Sequence, residues 1–292
     1  MAGDTQLTEH GGRVIDAHHH LWRLEPGRTV WPAPEDGPLY RSFGWGDLEP
    51  ELDAAGVSAT VLVQTADSDE ETDFLLGEAK ANARIAGVVG WLPLHDPAAA
   101  AARLDLLRAD PAFVGVRCLI HRIGDDDWMA RADVELGFAL LERNEIPYDV
   151  VSDRPRQLRH VATVAARHPE LPLVIDHLSK PPVGRPDHSE WRAALSRAAE
   201  RPNVFAKLSG LYPAVGDPTV WSRETIRPFV EQALELFGAD RLMLGSDWPV
   251  CLVAGGYARV WTALRELVDE LSPTERGRLL GGTALRFYRL AE

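Results

Sequence analysis

Short runs of aliphatic and β-branched residues recur along the chain, and a longer stretch with helically spaced apolar residues follows each run. This alternation is typical of β-α units arranged around a parallel sheet. The eight predicted strands are residues 13–17, 59–64, 85–91, 113–119, 147–152, 172–177, 203–208 and 241–246. The helices predicted between and after them are residues 70–82, 98–108, 134–144, 156–167, 190–200, 223–237 and 257–270. Eight strands with intervening helices predict a closed (β/α)8 barrel, the TIM barrel.

The longest gap between predicted strands follows the first one. Residues 23–48 are rich in Pro, Gly and Trp, which predicts a long irregular loop before a short helix, and such a loop could serve as a lid. Residues 273–290 predict one or two terminal helices that pack on the barrel. We therefore expect a single domain over residues 1–292, with residues 1–12 as a flexible tail.

The amino-acid composition indicates which kinds of molecule this protein could bind. The chain has 292 residues, and its 31 basic and 44 acidic side chains give a formal charge of −13, which disfavours nucleic acid and anionic membranes and leaves a small molecule. Two cysteines are too few for a disulfide framework, and the first residues lack the pattern of a signal peptide. No run approaches the 18 or so apolar residues of a membrane span. We expect a cytoplasmic protein and leave its oligomeric state open, a homo-oligomer included.

Ionisable residues follow several of the predicted strands. The chemistry of a (β/α)8 barrel lies at the carboxyl ends of its strands, and unpaired buried charges cost several kcal/mol each. Mutual pairing, a metal or a substrate must therefore compensate for them. The residues at these ends are Asp16 to His20, Gln64, Trp91, Arg117, Ser152 and Asp153, Asp176 and His177, Lys207, and Asp247 and Trp248.

Three of these residues form a candidate metal site. His18 and His20 lie two apart on a strand, so their side chains project to the same face, whereas His19 projects to the other. Asp247 follows the eighth strand, which neighbours the first once the barrel closes. Two imidazoles and a carboxylate suit Zn²⁺ or Mn²⁺. The alternatives are a pair of structural histidines and an Asp247 that caps the following segment.

The remaining candidates concern catalysis and substrate binding. His177 is either a third imidazole at the centre, a substrate hydrogen-bonding group, or a structural histidine. Cations at strand ends either grip a polar substrate or form salt bridges with neighbouring carboxylates. Aromatic residues near strand ends could line a pocket. The substrate-binding candidates are Arg117, Lys207, Trp22, His121, Arg154 and Trp248.

Several segments resemble a known family. The chain resembles the amidohydrolase-2 family over residues 14–290, and within it the sugar-lactonase group that includes L-fuconolactonase and L-rhamnonolactonase. The Asp-x-His-x-His motif followed by Gly-Ser-Asp-Trp-Pro, in this order, is specific for the family. The segments that carry the resemblance are residues 14–22, 87–91, 115–117, 176–181, 207–210 and 245–251.

The resemblance implies a distorted (β/α)8 barrel that hydrolyses a small lactone to its hydroxy acid. Asp247 is then the catalytic carboxylate, a general base that activates water, and His18, His20 and His177 line the centre. Strands four and five lack the bridging ligands of the binuclear branch, so the resemblance implies one divalent metal, Zn²⁺ in our prediction, or none.

Two departures from the sugar lactonases leave the substrate open, because His19 and His121 stand where relatives often carry Gln. The alternative functions are a metal-dependent decarboxylase of the same family and a barrel that binds a small molecule without turning it over.

Overall fold

Eight parallel strands form one sheet in the order β1 to β8, with helices between them. The structure is a computed structural model, and it describes residues 12–25, 31–213 and 217–291. This architecture confirms the predicted TIM barrel. The strands are β1 (Ile15–His19), β2 (Ala59–Val63), β3 (Ile85–Gly90), β4 (Phe113–Cys118), β5 (Tyr148–Val150), β6 (Leu173–Ile175), β7 (Val204–Leu208) and β8 (Leu242–Leu244).

Most strands are shorter than the apolar pattern predicts. Strand β6 ends at Ile175, two residues before the predicted end, because Asp176 already belongs to a 3-10 turn. Strand β1 differs in the opposite sense and runs on to His19, with a register irregularity against β2. His18 therefore lies within β1, and His20 follows its last residue.

The seam between β8 and β1 combines backbone bonds with one side chain. The Asp16 carboxylate accepts the Ser246 N–H at 2.8 Å and the His18 N–H at 3.2 Å. The Asp247 N–H donates to the His18 carbonyl at 2.9 Å, and the His20 N–H donates to the carbonyl of Trp248 at 2.6 Å. Burial raises the pKa of Asp16 to about 6, against the opposing effect of these hydrogen bonds. The seam fixes the residues after β8 directly beside the histidines of β1.

The helices surround the sheet, and their inner faces supply many of the buried apolar side chains. No helix among the described residues is both long and apolar enough to cross a membrane. The helices are α1 (Trp45–Ala55), α2 (Asp69–Ala81), α3 (Pro97–Leu107), α4 (Ala132–Arg143), α5 (Pro155–Arg167), α6 (Ser189–Ala199), α7 (Arg223–Phe237), α8 (Tyr257–Asp269), α9 (Pro273–Gly277) and α10 (Thr283–Tyr288).

The segment after β1 is more regular than its composition suggests. Helix α1 begins at Trp45, inside the predicted loop, because the Asp47 carboxylate accepts the Gly44 N–H at 3.0 Å and caps the first turn. A short 3-10 helix, Pro34–Leu39, precedes it. Residues 26–30 of the proposed lid and residues 1–11 of the proposed tail lie outside the described residues.

The predicted terminal helices close the lower end of the barrel. A π-helical turn, Arg278–Gly282, joins α9 to α10, and Ser272 caps α9 by accepting the Glu275 N–H. A Cβ at Gly281 would lie 2.0 Å from the carbonyl oxygen of Arg13. Only glycine permits this close packing of the C-terminal helix against the chain entering β1.

Candidate active site

Three imidazoles and one carboxylate converge at the carboxyl end of the barrel. The Nε2 atoms of His18 and His20 lie 3.2 Å apart. Oδ1 of Asp247 lies 3.3 Å from Nε2 of His20, 3.8 Å from Nε2 of His18 and 3.7 Å from Nε2 of His177. All four side chains are buried. The structure thus brings together the residues that the strand-end positions predicted to meet.

The orientation of Asp247 is set from both sides of its carboxylate. The residue has a left-handed backbone with φ of 58°, a conformation that costs energy for a non-glycine residue. Its Oδ2 accepts a hydrogen bond from the Tyr212 hydroxyl at 2.9 Å. Oδ1 is therefore the oxygen directed at the imidazoles.

Hydrogen bonds behind the imidazoles fix their ring orientations. Nδ1 of His20 donates to the Val63 carbonyl at 2.7 Å, which leaves the lone pair on Nε2 at the centre of the site. Nδ1 of His177 lies 2.8 Å from the Ser209 hydroxyl. Nδ1 of His18 lies 3.3 Å from Oδ1 of Asp176. A carboxylate or carbonyl behind a histidine is the usual arrangement for a metal ligand.

The electrostatics favour neutral imidazoles beside an ionised carboxylate. Burial lowers the pKa of His18 well below its usual value, and it lowers the pKa of His177 to about 4 against the opposing charge of Asp247. Burial acts to raise the pKa of Asp247, but the neighbouring imidazoles, His177 first, together bring that pKa below the ordinary range. At neutral pH the site therefore offers a carboxylate and, in His18 and His177, uncharged nitrogen donors.

These donors fit a divalent metal. In the part of the chain that the structure describes, two sets of three residues have ligand atoms within 4.8 Å of one another, namely His18, His20 and Asp247, and His18, Asp176 and His177. In the second set Asp176 is already paired, because its Oδ2 accepts from Arg117 at 2.9 Å and its Oδ1 lies 3.0 Å from the Lys207 ammonium. The first set matches the predicted triad and the N and O ligands that Zn²⁺ prefers.

A cavity of about 360 Å³ opens above this centre, a volume suited to a small molecule. Of the residues predicted from the sequence, the structure places His20, His177, Asp247, Arg117 and His121 in its wall. Their roles in catalysis and binding remain predictions at this point.

The structure does not place Lys207 in the cavity wall, which corrects the expectation that it binds substrate. Its side chain is fully buried below His18, where its ammonium pairs with Asp149 at 2.5 Å and with Asp176 at 3.0 Å. Strand β7 directs Lys207 into the barrel, but one layer too deep to reach a ligand. The salt-bridge alternative therefore describes this residue.

Three further substrate-binding candidates also lie outside the cavity wall. Trp22 and Trp248 both pack against Phe43, with ring centroids 5.2 Å and 5.4 Å from it, and both are buried. Arg154 pairs with Asp126 at 2.9 Å and donates to the carbonyl of His121 at 3.0 Å. These residues support the loops that carry the site.

Nine cavity residues were not among the site residues predicted from the sequence, and the five of these with polar or aromatic side chains are Trp31, Thr65, Arg122, Lys180 and Tyr212. Thr65 directly follows the predicted second strand, and Lys180 lies within the segment 176–181 that carries the family resemblance. Trp31 belongs to the proposed lid, and Arg122 stacks on its ring at 4.8 Å. Only loop conformation brings Trp31, Arg122 and Tyr212 to the cavity.

Gly210 provides a test of how closely the site is packed. Its φ is 58°, and a Cβ there would lie 2.9 Å from Nδ1 of His177 and 3.1 Å from Oδ2 of Asp247. We expect Gly210→Ala to displace these side chains and to lower kcat/KM roughly 10²-fold, as a displacement of about 1 Å does. Gly184→Ala is the matched control, because Gly184 also has a positive φ but no atom within 4 Å of the added Cβ. Equal losses in both variants would contradict this packing argument.

Comparison with known proteins agrees with this geometry. An L-fucono-1,5-lactonase from Burkholderia ambifaria is 38% identical over 94% of this chain and 95% of its own length. A second L-fucono-1,5-lactonase, from Burkholderia multivorans, is 36% identical over 97% of this chain and 98% of its own. A crystal structure of an amidohydrolase from Burkholderia multivorans with bound Zn has a TM-score of 0.88 and 36% identity, and covers 96% of this chain and 100% of that one. The model of the amidohydrolase family Amidohydro_2 matches residues 15–290, and the chain belongs to that family.

Proposed function

We propose that this protein is a hydrolase that opens a small sugar lactone to its hydroxy acid, with L-fucono-1,5-lactone as the first substrate to test. The observation that carries the proposal is the ionised Asp247 in the wall of a small cavity, with its Oδ1 within 3.8 Å of a nitrogen of each of three imidazoles. The similarity to two L-fucono-1,5-lactonases supports the choice of substrate.

Asp247 acts as the general base in this reaction. Its Oδ1 takes a proton from a water molecule, and the water oxygen forms a bond to the lactone carbonyl carbon. The ring C–O bond then breaks, and the Asp247 carboxyl returns the proton to the departing ring oxygen, which becomes a hydroxyl. The Tyr212 hydroxyl keeps Oδ2 occupied, so that Oδ1 is the oxygen that exchanges the proton.

His18, His20 and Asp247 are the residues that would hold a divalent ion, and we propose Zn²⁺. A bound Zn²⁺ would supply Lewis-acid polarisation and would lower the pKa of a water molecule. The chain's own contribution is orientation, since Val63 fixes the ring of His20 and Asp176 faces Nδ1 of His18. A Zn-bound structure of a relative at 36% identity supports the choice of metal.

The test is lactone opening followed with a pH indicator across a panel of aldonolactones and unsaturated lactones. We expect acidification with L-fucono-1,5-lactone, loss of that activity in chelator-treated protein and its return with Zn²⁺. His20→Asn should retain less zinc than the wild type, because it loses an imidazole ligand, and zinc content is measured directly by elemental analysis.

The possible outcomes separate the parts of the proposal. Full activity after metal removal would contradict the zinc requirement but keep the lactonase. If no lactone is hydrolysed and CO₂ is released from aromatic or unsaturated acids, the protein is a decarboxylase and the lactonase proposal is wrong. Tight ligand binding with no product from either panel would indicate a binding protein.

We further infer a small-molecule partner and a cytoplasmic location. Cys118 and Cys251 are buried free thiols, which suits a reducing compartment.

A further inference from the structure

The turn after β6 carries an unusual backbone. His177, Leu178, Ser179 and Lys180 are consecutive non-glycine residues with φ of 54°, 48°, 58° and 49°. L-amino acids adopt this left-handed conformation as single residues, and a run of four is strained at every position. Strain of this kind persists only where the surrounding structure imposes it, and it concentrates at functional sites.

Three neighbouring elements hold this turn in place. The Ser179 hydroxyl lies 2.5 Å from the hydroxyl of Ser152, which follows β5. The Leu178 carbonyl accepts a hydrogen bond from Nε1 of Trp191, on α6, at 2.7 Å. Nδ1 of His177 contacts the Ser209 hydroxyl beyond β7. These contacts fix both ends of the turn relative to the barrel.

The turn places two of its residues in the wall of one cavity. Residues three apart in a tight helical turn lie on the same side, and His177 and Lys180 are three apart. Both line the 360 Å³ cavity, together with Asp247. The strained backbone therefore presents a cation next to an imidazole that faces the catalytic carboxylate.

Among the described residues, Lys180 is a cation of the cavity wall that pairs with no carboxylate and stacks on no ring. The guanidinium of Arg117 already has protein partners, because it pairs with Asp176 and also donates to the carbonyl of Gln64. Arg122 stacks on Trp31 at the rim. Over residues 12–25, 31–213 and 217–291, no carboxylate lies within 4.0 Å of the Lys180 ammonium.

The use of lysine itself supports a specific role. Only 3 of the 31 basic residues are lysines, at positions 80, 180 and 207. The chain therefore uses arginine at nearly every basic position, yet retains lysine at two positions around the active centre. An ammonium is a compact point charge that suits a single oxygen, whereas a guanidinium suits a planar, bidentate partner.

Lys180 lies in a part of the cavity wall that holds other cations. His121, in the same wall, has its pKa lowered to about 2 by burial and then by the charges of Lys180, Arg117 and Arg122. It is therefore a neutral hydrogen-bonding group among cations, in a chain whose formal charge is −13. Such a local field favours negative charge that forms on a bound ligand.

We propose that Lys180 is a further catalytic residue, which stabilises the negative charge that forms on the lactone carbonyl oxygen and then holds the carboxylate of the product. The inference rests on the proposed lactonase function. When water adds to the carbonyl carbon, the π electrons move to the carbonyl oxygen, and Asp247 holds the proton. When the ring C–O bond breaks, these electrons re-form the carbonyl group, and the ring oxygen takes the proton. The carboxylic acid so formed then releases its own proton to solvent and becomes the carboxylate.

The test compares two ligands that differ only at the reacting carbon. L-fuconate carries a carboxylate where L-fucitol carries a hydroxymethyl group, and calorimetry measures the binding of each without turnover. We expect Lys180→Met to weaken L-fuconate at least tenfold, to leave L-fucitol within twofold, and to lower kcat roughly 10²-fold, as loss of one oxyanion donor does. Lys180→Arg should restore the affinity for L-fuconate more fully than it restores kcat. The guanidinium brings back the positive charge, but it is planar and does not reproduce the compact ammonium that contacts a single oxygen.

Lys80→Met is the matched control, since Lys80 is an exposed lysine on α2 that pairs with Asp110 and lies outside the cavity wall. Equal weakening of both ligands by Lys180→Met, unchanged binding of both, or no L-fuconate binding to the wild type would overturn the assignment. If no lactone is hydrolysed but L-fuconate still binds through Lys180, the lactonase proposal fails and the carboxylate site stands. Circular dichroism of each variant verifies that it is folded.

Discussion

Asp247→Asn is expected to lower kcat/KM with L-fucono-1,5-lactone about 10³-fold or more, since general-base catalysis contributes up to about 10⁴-fold. The amide has nearly the shape of the carboxylate but does not accept the proton that the water must lose. The backbone bond from residue 247 to the His18 carbonyl does not involve the side chain, and the Tyr212 hydroxyl can donate to the amide oxygen as it does to Oδ2. The fold should therefore remain intact.

The measurement is the initial rate of acid release, with the melting temperature and the zinc content of the same preparation alongside. Asp240→Asn serves as the control, because Asp240 is an exposed carboxylate that pairs with Arg278 outside the cavity wall. A kcat/KM of Asp247→Asn within tenfold of the wild type would remove Asp247 from the mechanism. Zinc loss without loss of rate would separate its ligand role from its role as a base.

The reason why the sequence predicted the centre of this site is topological. The carboxyl ends of parallel strands meet at one rim, so residues far apart in the chain converge there without any knowledge of side-chain contacts. His18, His20 and Asp247 come together because β8 returns beside β1. The two-residue spacing of the histidines then decides which rings face the centre.

Depth within the barrel is what the strand pattern does not specify. Lys207 was expected at the rim, but its ammonium lies below it, and its partner Asp149 is a polar residue in the middle of a three-residue strand. Alternation tells which side chains point inward, whereas their layer depends on strand register and tilt. A charged residue inside an otherwise apolar strand such as β5 was the signal that could have identified this layer.

Loop residues were the other group beyond the reach of the sequence. Trp31 and Arg122 reach the cavity by stacking on each other across two separate loops. Loops lack the periodicity from which strands and helices are predicted, and contacts distant in sequence determine their conformation. The segment 176–181 marked Lys180 through its resemblance, but only the folded structure shows that this residue lies in the cavity wall.

The charge network below the site supports the second large effect. The Lys207 ammonium contacts Asp149 at 2.5 Å, Asp176 at 3.0 Å and Nδ1 of His18 at 3.1 Å, and all these groups are fully buried. The Tyr288 hydroxyl, from α10, donates to Asp149 at 2.7 Å. Burial raises the pKa of Asp149 to about 6, against the opposing effects of Lys207 and Tyr288.

Lys207→Met is expected to reduce the free energy of unfolding by about 3–5 kcal/mol, because it leaves buried carboxylate charge without its cation. Methionine fills a similar volume, so loss of packing contributes little. The double variant Lys207→Met/Asp149→Asn should recover part of that loss, since it also removes one of the two carboxylates. Urea denaturation of the three proteins measures these differences directly.

The same network links stability to the active centre, because Asp176 contacts Lys207 on one side and His18 on the other. The folded fraction of Lys207→Met should therefore also retain less zinc than the wild type, as His18 loses its fixed orientation. Lys80→Met, which removes an exposed ammonium, should change stability by no more than about 1 kcal/mol. A Lys207→Met protein as stable as Lys80→Met would show that the two buried carboxylates do not need this cation, and full zinc retention would show that His18 is held without it.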